Sequence, residues 1–110
     1  MKKWAILFVF WIFPVLAQTF LPGTEDIPLM KGIKNVEESA SFETPSERMV
    51  LIEAETNLPQ KTVFNFYQKT LKNLDWKETK PGYFERGKDS FSIEITPHGQ
   101  IQFRLSQSNL

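Results

Sequence analysis

The stretch "NLPQKTVFNFYQKTLKNLDW" (residues 57–76) carries the one helical period in a chain otherwise written as strands. Val63, Phe64, Tyr67, Leu71 and Leu74 recur at spacings of three, four and seven, which gathers them on one stripe of a helix. Lys61, Gln68, Lys69 and Lys72 fall on the opposite side. Pro59 suits the first helical position, where a missing N–H costs nothing, with Asn57 or Leu58 at the cap. At the other end, Asn73 or Asp75 is expected to close the helix in the left-handed conformation that Asn and Asp tolerate better than most residues.

Outward from this helix the period changes to two. In "RMVLIEAET" (48–56) Val50, Ile52 and Ala54 share one face of a strand, and Met49, Leu51, Glu53 and Glu55 share the other. "SASFE" (39–43) reads as a short strand before it, joined by the turn "TPSE". After the helix, "WKETK" leads into a Pro81-Gly82 turn and "YFERG" returns from it. "SFSIEI" (90–95) and "QIQFRLS" (100–106) flank a Pro97-His98-Gly99 turn. Phe91, Ile93 and Ile95 alternate with Ser90, Ser92 and Glu94, and Ile101, Phe103 and Leu105 alternate with Gln102 and Arg104. Such alternation means one buried sheet face and one wet face. The expected fold is therefore α+β. A four- to five-stranded antiparallel sheet carries one amphipathic helix on one face, in the order β(β)-α-β-β-β, over residues 39–110. Residues 18–38 show no sustained period and contain Pro22-Gly23, Pro28 and Gly32, and so read as an extended strap.

The first seventeen residues read differently again. Lys2 and Lys3 precede an apolar run of thirteen residues from Trp4 to Leu16, and Val15-Leu16-Ala17 supplies small residues before Gln18. This is the pattern of a secretory signal peptide cleaved after Ala17. A thirteen-residue helix spans about 20 Å, short of a bilayer core of about 30 Å. The apolar stretch continues past Gln18 and Thr19 to Leu21, so an uncleaved membrane anchor is the alternative. The two lysines before a compact apolar run are bacterial in character, which makes the periplasm the expected destination and secretion to the medium a second one.

The chain of 110 residues allows a single domain. Removing residues 1–17 takes Lys2 and Lys3 from the 13 basic residues and none of the 13 acidic ones, leaving a net charge of about −2. That balance argues against a nucleic-acid partner, which calls for a strongly basic surface. The chain contains no cysteine, so neither disulfides nor a lipidated cysteine contributes. A domain this small then depends on its hydrophobic core.

Few residues offer chemistry. His98 is the single histidine and lies in a turn, where a solvated ring accounts for it without partners for a metal. Glu53 and Glu55 project from one strand face and Glu94 from the wet face of another, so the three can meet as a carboxylate cluster able to do acid–base work. The company of Ser90, Ser92, Gln102 and Arg104 is equally that of a solvated sheet. Lys61, Lys69 and Lys72 give the helix an acid-free exterior, with Lys77 and Lys80 just beyond, a patch for anionic headgroups or simply a wet helix. Phe64, Tyr67, Trp76, Phe91 and Phe103 are expected to form the core, with Phe66 half exposed. Met49 and Leu51 lie opposite Val50, Ile52 and Ala54 and need another cover. Ile27, Leu29 and Met30 are the apolar material left over. These five residues are therefore the expected strap-docking or partner surface.

The segments "DIPLMKGI…FETPSERMVLIEAE" and "VFNFYQKTLKNLDW…YFERGKDSFSIEI", most of the chain after the leader, together resemble a family of small exported alphaproteobacterial proteins. Its members show a D-I-P-x-M-x-G segment, an F-x-x-P-x-G-R-[IV] hairpin and an F-Y-x-x-x-L-x-x-L-G-W helix end. Here Glu47 and Asp75 stand where that pattern has glycine. The resemblance implies export and a small α+β fold, and it carries over no catalytic residues and no cofactor. The expected role is an exported, non-enzymatic envelope or periplasmic binding or accessory module whose partner is a protein or envelope component. A small enzyme using the Glu53, Glu55 and Glu94 face and a membrane-tethered accessory protein are the alternatives.

Overall fold

The structure, a computed structural model, describes residues 19–109. The expected leader, residues 1–17, lies outside the described residues. Seven elements follow in order: β1 (Ile33–Glu43), β2 (Glu47–Thr56), α1 (Gln60–Asn73), β3 (Lys77–Lys80), β4 (Tyr83–Arg86), β5 (Asp89–Ile95) and β6 (Gln100–Ser108). The strands form one antiparallel sheet in the order β1-β2-β6-β5-β4-β3. The α+β class, the antiparallel sheet and the single amphipathic helix are as the sequence predicts. The sheet has six strands rather than four or five: the exposed "KETK" arm of the Pro81-Gly82 hairpin pairs with β4 as a full edge strand, and all six segments join one sheet.

Register turns the alternating pattern into continuous apolar rows. Val50, Leu105, Phe91 and Phe84 lie opposite one another across β2, β6, β5 and β4, and all four are buried. Ile52, Phe103 and Ile93 form the next row, and Ala54, Ile101 and Ile95 the third. α1 presses Val63, Tyr67 and Leu71 onto these rows. The Tyr67 ring meets that of Phe103 edge-on at 5.5 Å, and Phe103 stacks on Phe91 at 5.9 Å.

The helix ends are defined by backbone chemistry. Pro59 is the N-cap rather than the first helical residue, with φ −61° and ψ 146° and no side-chain cap. Its carbonyl accepts the N–H groups of Thr62 and Val63. At the C-terminus the Trp76 N–H donates to Leu71 O at 2.9 Å and the Asp75 N–H to Lys72 O at 3.1 Å. This crossed pair is a Schellman closure, and of the two candidates Asn73 and Asp75 it places Asp75 in the left-handed position, at φ 70°. Glu47, by contrast, is an ordinary strand residue that opens β2 and does not occupy the left-handed region.

Residues 19–32 are folded rather than extended. Leu21 N–H donates to Ile27 O at 2.9 Å and Leu29 N–H to Thr19 O at 2.7 Å, so the strap doubles back as a small hairpin. Pro22-Gly23 makes its tip, with Gly23 at φ 77° and the Thr24 N–H closing onto Leu21 O. β1 starts at Ile33, six residues before the predicted strand. "VEES" has no alternation to announce it, and two irregularities interrupt its pairing: one near Asn35 (φ 54°) and one between Glu38 and Ala40.

Candidate functional site

The strap covers the helix side of the sheet, not Met49 and Leu51. Leu21 and Ile27 are each 1% exposed and join the core with Val50, Ile52 and Tyr67, while Leu29 and Met30 pack against its margin. Three clamps hold it. The buried Tyr67 hydroxyl donates to Pro28 O at 2.8 Å and accepts from the Met30 N–H at 3.2 Å. Arg48 donates to Gly23 O at 2.9 Å and to Gln107 Oε1 at 2.7 Å. Arg86 pairs with Asp26 at 2.9 Å, donates to Leu74 O, and lies 4.4 Å over the Trp76 ring. The physical reason is width. Six strands at ~4.8 Å spacing span about 24 Å, whereas a helix is about 10 Å across. One helix cannot cover the whole apolar face, and the strap fills what remains above β2.

The other face is left open, and register assigns its rows. Glu37, Glu53, Gln102 and Glu94 lie in line across β1, β2, β6 and β5. The next row is Ala40, Leu51, Arg104, Ser92, Tyr83 and Lys80, and the third begins with Phe42 opposite Met49. A hollow of about 440 Å³ is bounded by Asn35, Glu37, Glu53, Glu55 and Glu94 among others. Asn35 donates to Glu55 Oε2 at 3.0 Å across it. A second hollow of about 410 Å³ adjoins it at Glu94 and Gln102, with Lys80, Tyr83 and Arg104 in its wall. Lys80 Nζ lies 4.4 Å over the Tyr83 ring.

The structure thus brings Glu53, Glu55 and Glu94 to one hollow and adds Glu37, directly opposite Glu53. Sequence reasoning missed Glu37 because it sits in a segment without period, read as strap. Among the described residues no group of three or more His, Cys, Asp or Glu is placed to hold a metal ion. His98 is exposed in the β5–β6 turn. The lysine patch is divided: Lys61, Lys69 and Lys72 are exposed on α1, whereas Lys77 and Lys80, opposite Glu85 and Tyr83, belong to the open face. Tyr67, Trp76, Phe91 and Phe103 are core, with Phe64 and Phe66 partly buried against it.

Met49 and Leu51 remain half-buried on the open face beside Ala40 and Phe42, and Phe42 is 53% exposed. This gives an apolar patch at the β1 edge flanked by carboxylates. The chain is, in class, a small α+β domain whose sheet is sealed on one side by helix and strap and open on the other. No protein-family model matches it, and no match is found among characterised proteins or solved structures.

Proposed function

We propose that this protein is an exported, non-enzymatic binding or accessory module of the bacterial envelope, and that it meets its partner with the open sheet face. The observation that supports this reading is the pairing of a sealed side with an unsealed one. The strap satisfies the helix side with its own residues, so Phe42, Met49 and Leu51 are left uncovered at the sheet's edge. Exposed apolar side chains grouped beside polar ones are the usual mark of a contact surface. The leader pattern and the resemblance to exported proteins support the location.

The test is site-specific photo-crosslinking in the native host, with the photoreactive residue placed at Phe42, Met49 or, as a control, Lys69 on the helix. A discrete adduct from Phe42 and Met49 and none from Lys69 is the expected result. No adduct from either open-face position, or adducts equally from all three, overturns the reading.

A second reading has an observation of its own: Glu37, Glu53, Glu55 and Glu94 share one hollow, the arrangement that carboxylate acid–base chemistry would use. It predicts that the purified protein turns over a substrate and that Glu94→Gln abolishes turnover with the fold intact.

A further inference from the structure

We propose that β1 is a receiving edge for an extended basic segment of a partner protein, added as a seventh antiparallel strand. This rests on the binding-module reading and names the chemistry of the partner.

Three separate features of the edge point the same way. The first is the hydrogen-bonding rim. The Thr44 N–H donates to Glu47 O at 2.7 Å, which makes that pair a hydrogen-bonded one. Bonded and non-bonded pairs alternate along an antiparallel ladder. Phe42 opposite Met49 is therefore the next bonded pair, while Ser41 opposite Val50 and Glu43 opposite Arg48 are non-bonded. Ser41 and Glu43 accordingly direct their N–H and C=O groups away from the sheet, a ready template for another strand. The second feature is apolar: Ala40 and Phe42 stand on the open face beside Leu51 and Met49, where alternate side chains of an added strand would rest.

The third is charge. Glu37 and Glu53 oppose each other directly, a like-charge pair that destabilises a sheet unless a cation lies between them. With Glu55 and Glu94 they wall a hollow of about 440 Å³, which one lysine or arginine side chain fits. Glu37 lies about 16 Å along β1 from Phe42. A segment of about seven residues spans that distance, with an apolar side chain near Phe42 and a basic one near Glu37. The bulge between Glu38 and Ala40 separates the two halves and limits indiscriminate pairing along the whole edge.

The probe is a capped peptide, Val-Thr-Val-Thr-Lys-Thr-Lys, tested against the folded protein by calorimetry and amide exchange. Run antiparallel to β1, its alternate residues put valine near Phe42 and lysine near Glu37 on the same face. A second peptide has proline in place of each threonine, keeping the charge but unable to pair. The expected result is saturable binding of the first that slows exchange of the Ser41 and Glu43 amides, with the second at least about tenfold weaker. Ser41→Pro removes an outward N–H and no ladder bond to β2, so it should keep the fold and weaken the first peptide by about tenfold. The pair E37K/E53K should reverse the preference towards the same peptide with glutamate in place of both lysines. Equal affinity for both peptides, unchanged binding to Ser41→Pro, or slowed amides only on α1 overturns the proposal. Crosslinks at Met49 in cells together with peptide binding indifferent to Ser41→Pro would sink strand addition and leave the module reading standing. Peptide binding as described with no adduct in cells would do the reverse.

Discussion

Tyr67 is the residue on which helix, sheet and strap converge. Its ring is fully buried and its hydroxyl bonds two strap backbone groups. Burial pushes the phenol up from 10.0 to about 12, with the hydrogen bond from Met30 pulling slightly the other way. The unfolded phenol releases its proton near 10 while the folded one holds it to about 12. Its contribution is therefore complete below the lower value and is lost as pH rises towards the upper one, a change of roughly 2–3 kcal/mol. Urea unfolding across this range should show that decline in the native protein and a shallower one in Tyr67→Phe. At neutral pH the same variant should lose about 1–3 kcal/mol, because Pro28 O and the Met30 N–H are left without a partner. Asp75 presents the opposite case. It sits at φ 70° in the helix closure with a side chain that gains nothing from that conformation. Asp75→Gly should raise stability by about 0.5–1 kcal/mol, read as a higher urea midpoint at unchanged slope.

Among the elements, the strap is the one whose role changes most on folding. It works as a second cover element, anchored by Leu21 and Ile27 and tied by side chains from β2, α1 and β4. Ile27→Ala should cost about 2–4 kcal/mol, as expected for deleting a buried branched side chain. The Asp26–Arg86 pair matters less. Its side chains are 42% and 32% exposed, so Asp26→Asn should cost no more than about 1 kcal/mol. Met49→Ser and Leu51→Ser should likewise leave the thermal midpoint nearly unchanged while abolishing the crosslinks, since neither belongs to the core. In the β5–β6 turn, Gly99 has φ 88°, and a Cβ there would overlap the Thr56 carbonyl. Gly99→Ala is expected to lower stability by more than 1 kcal/mol in the same assay.

At the scale of the whole molecule the domain is two-sided, sealed by helix and strap on one face and open on the other. If the leader is removed after Ala17, protein recovered from the periplasm should begin at Gln18 by N-terminal sequencing. A start at Met1 in the membrane fraction would support tethering instead. The chain's own local patterns determined much of this molecule: the helix stripe, the alternation of β2, β5 and β6, a left-handed helix closure at Asn73 or Asp75, and most of the aromatic core. Each of these is a local fact, because a side chain's face follows from positions two, three or four residues away. What only the tertiary structure decided is non-local. β1 reaches back to Ile33 because β2 is long enough to receive it, and Asp75 rather than Asn73 closes the helix because the chain turns there into β3. Glu37 comes to face Glu53 through register, and Lys77 and Lys80 part from the helix lysines because the sheet stands between them. The strap lies on the helix side because one helix is too narrow for six strands. That mismatch of widths, invisible in any one segment, is what leaves Phe42, Met49 and Leu51 open.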